Sequence, residues 1–338
     1  MLKYIFFTSC FLLFIGCKEV DKEPITLSDP VADEPIAKWQ SVVAKDNSKP
    51  VQRHEAAFVQ VGEKFYLLGG RSIRAVSIYD TNTESWSLGA QPPIELHHFQ
   101  PVVYQDKVYV IAAMTGGWPN ETPTTHVYIY DPATDAWSTG DEIPEERRRG
   151  STGNVLHNGK IYVSCGIKNG HIGDHKDWMD SYDPNTGEWI VLANAPRSRD
   201  HFQSVLVGGK IYNLAGRNTG STNDPFGGTI GETDVYDIAT DSWKTLSNTI
   251  PTQRAGNAAI FFDNKILVVG GESQAQVKAH SEVEALSLPA ETWETLEPLL
   301  EGRHGTGLID YNDALYIASG CGNRGGEPEL FTMEKYSK

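Results

Sequence analysis

The sequence predicts an all-β chain, a β-propeller of six blades whose ring is closed by its own N-terminal strand. Six Trp residues (Trp39, Trp86, Trp137, Trp189, Trp243 and Trp293) recur at spacings of 47, 51, 52, 54 and 50 residues. Between them one order of segments repeats: an apolar strand, an alternating run closing on Gly, then two strands around a tight turn. A hydrophobic content of 39% with 32 Gly in 338 residues suits many short strands and turns rather than long helices.

The elements follow in order. Residues 1–17 read MLKYIFFTSCFLLFIGC, one Lys before about a dozen apolar residues and then a small residue beside Cys. That is the pattern of a secretory signal rather than a membrane span. The tetrad Phe14-Ile15-Gly16-Cys17 resembles the bacterial lipobox, with Phe where Leu is usual. The resemblance implies cleavage before Cys17 and lipidation of that Cys, giving an outer-membrane lipoprotein at the cell surface or in the periplasm. Several acyl chains anchor stably where one is marginal. The alternative is plain secretion, with Cys17 an incidental residue of the signal. Residues 18–36, with a charged start and Pro24, Pro30 and Pro35, read as a flexible tether. Residues 37–338 are then the propeller. No other window is apolar enough to span a bilayer, so membrane contact is expected through the lipid anchor only. A formal charge of −15 argues against nucleic acid as a partner.

In the repeats, strand–turn–strand units read SIYDTNTESW, YIYDPATDAW, DSYDPNTGEW, DVYDIATDSW and EALSLPAETW, with Asp-Pro and Asn-Thr-Gly supplying the reversals. Each is preceded by a run such as KFYLLGG, KIYVSCG or KILVVGG. Over about residues 37–338 the Gly-Gly, Tyr-Asp and Trp landmarks, in units of about 50 residues, resemble kelch motifs. Ala112-Ala113 replaces Gly-Gly in the second repeat, and the fifth lacks Tyr-Asp. The sixth has no Trp after Tyr336, so the segment around Trp39 is expected to supply its outer strand and remove the free edges. The six Trp are assigned to packing between blades. Cys165 and Cys321 occupy equivalent positions in the third and sixth repeats, across the ring from each other. They are expected to be buried thiols too far apart for a disulfide.

Two sets of loops emerge on one face. Those entering the innermost strands carry Arg53-His54, His97-His98, Arg147-Arg148-Arg149, Arg199-Asp200-His201, Arg254 and Arg303-His304. Those after the Gly-Gly strands carry Arg71, Arg74, His171-Ile172-Gly173-Asp174-His175, Arg217, Glu272, His280 and Arg324. A basic pocket on an acidic body favours a small anionic ligand, which Arg pairs in bidentate fashion. Arg149, Arg199, Arg217, Arg254, Arg303, Arg324, Glu272 and His280 are therefore expected to bind substrate. At any single position an Arg can instead be a scaffold piece bonding neighbouring loops. Trp118 and Trp178 break the period and fall in the same loops, where they can stack on a sugar ring or simply pack. No metal or other cofactor is expected. The trio His171, Asp174 and His175 is metal-compatible but lacks a firm further ligand. Gly320-Cys321-Gly322-Asn323-Arg324-Gly325-Gly326 lacks the following helix that a phosphate loop needs, and reads as a path for Arg324 toward the channel.

The resemblance also sets a functional prior, because six-bladed kelch propellers include a sialic-acid mutarotase and other propellers host polysaccharide lyases. Arg to neutralise a uronate carboxylate and His to take the adjacent proton point to a lyase or dehydratase. It would cleave acidic, uronate-containing oligosaccharides by β-elimination, with His201, His171 or His304 as base. The alternatives are a non-catalytic glycan- or protein-binding kelch lipoprotein, and a sugar mutarotase or epimerase. A copper-radical oxidase is a more distant alternative, because no cross-linkable Tyr–Cys pair with a His set is evident.

Overall fold

The computed structural model describes residue 1, residues 38–219 and residues 223–337. The expected signal, Cys17 and the tether lie outside the described residues. Residues 38–337 form six four-stranded antiparallel sheets, with one 3-10 turn at Glu145–Arg147 among the described residues. No helix among them is long and apolar enough to cross a membrane.

Blade 1 runs from the axis outward as Ala56–Val61, Lys64–Gly69, Ser77–Asp80 and Ser85–Leu88. The innermost strands of blades 2 to 6 are Val102–Tyr104, Gly153–His157, Gln203–Val207, Ala258–Phe262 and Leu308–Tyr311. Blade 6 takes its outermost strand, Lys38–Val42, from the other end of the chain. That strand pairs with Met333–Ser337, setting Trp39 opposite Tyr336. The expected closure is what forms.

The repeated landmarks have concrete jobs. In blades 1 to 4 the Trp of the outermost strand lies against the Tyr of the Tyr-Asp strand, with ring centroids 5.1–5.2 Å apart. Three indoles donate to the preceding blade: Trp39 Nε1 to Glu297 O, Trp137 Nε1 to Ala90 O and Trp243 Nε1 to Ala193 O. The core is consequently a series of clusters between neighbouring sheets, such as Leu214, Val235, Ile250, Ile266 and Val268 between blades 4 and 5. Cys165 and Cys321 are buried free thiols.

In five of the blades a glycine just past the second strand lies against the loop that enters the blade. A Cβ at Gly216 would lie 2.8 Å from Asp200 O, and one at Gly320 2.6 Å from His304 O, both at positive φ. Only glycine lets the loop entering the same blade's inner strand cross so near. Two small hairpins rise from blades 2 and 3, Met114–Thr115 with Thr122–Pro123 and Ile167–Asn169 with Gly173–His175. They meet where His171 N donates to Pro119 O at 3.0 Å.

Candidate functional site

Each inner strand is entered through an equivalent tripeptide: Arg53-His54-Glu55, Leu96-His97-His98, Arg149-Gly150-Ser151, Arg199-Asp200-His201, Arg254-Ala255-Gly256 and Arg303-His304-Gly305. Position in the tripeptide decides what a side chain does.

The first residue turns back into its blade. Arg149 donates to Cys165 O and Val163 O and pairs with Asp180. Arg199 donates to Ala215 O and pairs with Asp234, and Arg254 donates to Gly270 O, Thr252 O and Val268 O and pairs with Glu284. Arg303 reaches Ser319 O, Thr332 O and Glu334. All four are at most 1% exposed. Their donors are committed to blade carbonyls and buried carboxylates, so these guanidinium groups do not converge on the axis.

The third residue has left-handed φ in every blade: Glu55 52°, His98 51°, Ser151 55°, His201 53°, Gly256 63° and Gly305 67°. Their backbones link around most of the axis, with no such bond between Ser151 and His201 among the described residues. His98 N donates to Glu55 O, Ser151 N to His98 O, Gly256 N to His201 O, Gly305 N to Gly256 O and Ala56 N to Gly305 O, at 2.6–3.0 Å. The left-handed region disfavours any side chain, and Gly256 and Gly305 avoid that strain while Glu55, His98 and His201 accept it. Strain held where Gly would serve is a functional signal.

Above this ring lies a cavity of about 540 Å³ lined by Glu55, His98, His171, Arg71, Arg217, Glu272, Trp118 and Phe226, among others. Glu55 and His98 also border a chamber of about 40 Å³ on the far side, with Ser151, His201, Gly256 and Gly305. The ring is thus the cavity's floor. His98, His171 and His201 stand edge to face, with centroids 4.7–5.3 Å apart. His201 Nδ1 bonds the Asp200 carboxylate, His98 Nδ1 lies 2.6 Å from His97 Nδ1, and His171 Nδ1 lies 3.0 Å from Glu121 Oε1. Beside them Glu55 Oε1 is 3.5 Å from His304 Nδ1, and Glu272 Oε2 is 3.5 Å from His304 Nε2. Arg217 Nη1 donates to Glu272 Oε1 at 2.6 Å, and Gly325 N donates to Glu272 Oε2 at 2.8 Å.

Protonation states divide accordingly. Burial alone would drive the proton off His304, yet the Glu272 and Glu55 carboxylates hold its pKa well above the ordinary value. His98 and His201 are pushed below theirs, chiefly by burial. Glu55 and Glu272 are held below the ordinary carboxyl value despite burial, both with the help of protonated His304, and Glu272 also of Arg217. A protonated imidazole, two neutral ones and two carboxylates therefore share one small volume, an arrangement suited to proton transfer or metal binding.

The residues expected from sequence separate. His201, His171, His304, Glu272 and Arg217 come together, and Trp118 lines the cavity wall. Arg324 instead donates to Gln274 O and lies over Phe226. His280 is held between Ser273 and Glu282 in blade 5. Trp178 packs under Arg147 and Lys176. The His171-Asp174-His175 trio splits, because His175 lies 3.3 Å from Asp200 and Asp174 pairs with Lys176. Nor is the cavity strongly basic, since Arg71 and Arg217 face Glu55, Glu95, Glu272 and Glu327. Glu55, His98, Glu121 and Phe226 were not singled out as site residues. Aligning the six tripeptides would have exposed Glu55 and His98 as the residues standing where other blades carry Gly.

The sequence model of the Attractin/LZTR1 β-propeller family matches residues 32–279. The chain belongs to this kelch-type propeller family. Kelch-like protein terF of Aspergillus terreus is 25% identical over 335 residues, covering 93% of this chain and 69% of its own. Human Kelch-like protein 23 is 24% identical, with 80% of this chain covered, which spans 46% of that protein. Among solved structures, "Structure of YjhT" superposes with a TM-score of 0.70 at 16% identity, covering 84% of this chain and 95% of the other. At that identity the likeness concerns the fold.

Proposed function

We propose that this kelch propeller binds one sugar-sized, hydroxyl-rich ligand in the axial cavity and shuttles protons on it, as a mutarotase or epimerase does. The polar floor carries the reading. Glu55 and His98 border the cavity above a partial ring of backbone hydrogen bonds, which favours a glycan entering end-on with its terminal ring against the polar cluster. A volume of about 540 Å³ suits a small ligand, and Trp118 and Phe226 supply apolar faces for sugar rings. Ionised Glu55 and neutral His98, both lining the cavity, offer proton acceptors within one ring's reach, with protonated His304 behind Glu55. Carboxylates balance the cations here, which favours a neutral or singly charged sugar over a polyanion.

A second reading, β-elimination at a uronate, draws on neutral His201 on the same floor as Arg217. It requires Arg217 to hold a substrate carboxylate while already engaged with Glu272. Attachment to a membrane through lipidated Cys17 would place either activity on the outer face of a bacterial cell; metabolic labelling with palmitate that persists in Cys17→Ser would discard that location.

Calorimetry with a panel of neutral and acidic mono- and oligosaccharides, followed by NMR of anomer exchange and absorbance of unsaturated uronate, tests the readings together. Saturable binding abolished by Glu55→Gln supports the cavity, and accelerated anomer exchange supports the first reading. Unsaturated product supports the second. Absence of binding across the panel, with the protein folded, refutes both.

A further inference from the structure

The three clustered imidazoles share a feature that acid–base work on a sugar does not require: one ring nitrogen of each converges on those of the other two. We propose that His98, His171 and His201 bind a late first-row divalent metal ion, zinc foremost, on the cavity floor.

One ring nitrogen of each lies within 4.8 Å of those of the other two, so a point exists within about 2.8 Å of all three. Zinc–imidazole bonds are about 2.0–2.1 Å, so each ring need advance by less than about 1 Å. The tautomers are already those of a ligand. His97 Nε2 donates to Gly116 O, which leaves His97 Nδ1 to accept from His98 Nδ1. Asp200 accepts from His201 Nδ1, and the Glu121 carboxylate faces His171 Nδ1. The Nδ1 protons of His98 and His201 are thereby engaged, which leaves their Nε2 atoms with bare lone pairs, while His171 Nδ1 is buried beside the Glu121 carboxylate without a hydrogen bond to it.

Without a cation this grouping is unfavourable. His201 Nε2 is buried and has no hydrogen-bond partner among the described residues. His98 Nε2 lies 3.4 Å from Glu55 Oε2, which sets a lone pair against a carboxylate. Buried acceptors with no donor are costly, and a divalent ion satisfies all of them at once. Three imidazoles with a further position open to the cavity match a zinc site that keeps an exchangeable ligand. The neighbouring trio Glu55, Glu272 and His304 is a poorer site, since both nitrogens of His304 face oxygen acceptors.

The test uses the full chain, stripped by chelator and titrated with Co²⁺ and then Zn²⁺, with no glycan present. One equivalent of Co²⁺ should bind with the visible absorption of a low-coordinate site, be displaced by Zn²⁺, and raise the thermal midpoint. His171→Ala, on a hairpin outside the ring, should weaken binding by more than about a hundredfold, and Glu121→Gln by about ten- to a hundredfold. His280→Asn, in blade 5, should bind as the native chain does. Failure of the folded native chain to take up Co²⁺ overturns the site, as does uptake unchanged in His171→Ala or lost only in His304→Gln. Metal uptake and sugar binding are read separately, so either can fail alone.

Discussion

Replacing Arg254 by Met separates scaffold from ligand contact in a single measurement. Arg254 is fully buried and donates to Gly270 O at 2.6 Å, Thr252 O at 2.6 Å and Val268 O at 2.9 Å while pairing with Glu284, itself 2% exposed. Met fills similar volume but leaves three carbonyls unmet and one buried carboxylate unpaired. Removing one partner of a buried pair costs about 3–5 kcal/mol. In a domain of this size about 2 °C of midpoint accompanies each kcal/mol, so a fall of about 6–10 °C is expected. Adding Glu284→Gln removes the stranded charge but not the unmet carbonyls, and should return about half of the loss. Scanning calorimetry gives the midpoints, and Co²⁺ or sugar titration on the same samples should agree with the native chain within about twofold. A midpoint lowered by less than about 2 °C alongside a tenfold loss of ligand affinity would refute the scaffold assignment.

Three further outcomes follow from the same geometry. Gly320→Ala places a Cβ 2.6 Å from His304 O at φ 89°, and should cost more than about 1 kcal/mol and loosen the floor, visible as faster amide exchange at Gly305. His304 has a folded pKa raised above its unfolded value near 6.5, so its stabilisation is complete below that value and is lost as pH rises through the folded pKa. Stability measured against pH should therefore decline on the alkaline side in the native chain, and His304→Gln should flatten that limb; an unchanged profile contradicts the His304–Glu272 pairing. Trp39→Ala, at a residue 2% exposed, should cost about 3–5 kcal/mol and release the strand Lys38–Val42 to proteolysis before the remaining blades unfold.

Blade number and ring closure were legible because each rests on a side chain whose packing role recurs: Trp against Tyr on the outer strands, Gly where two backbones cross. The Arg cluster was misleading for a physical reason. A sequence shows that Arg and His fall in one loop, but adjacent residues there point in different directions, the first into the blade and the third toward the axis. Arg199 and His201 are two residues apart, yet one braces Ala215 O and the other stands beside His98 and His171. His171 and Glu121 were harder still, because they reach the floor from hairpins of two different blades. Glu55 and His98 were legible in principle, through the Gly256 and Gly305 that occupy the same position elsewhere.

The ring of backbone hydrogen bonds around the axis has a consequence for how such a site can change. Holding the blades together at their narrow ends is done by amides, which every residue type supplies, while the third position contributes only part of the candidate site, through Glu55, His98 and His201. Six equivalent positions result, reading Glu, His, Ser, His, Gly and Gly in chain order. A substitution at Ser151 changes the floor without unmaking the clasp beneath it, whereas a Cβ at Gly305 would meet Glu55 N at 2.6 Å and disturb the clasp itself. Changes to the floor's side chains are therefore limited less by the blades than by the room and backbone angle at each position.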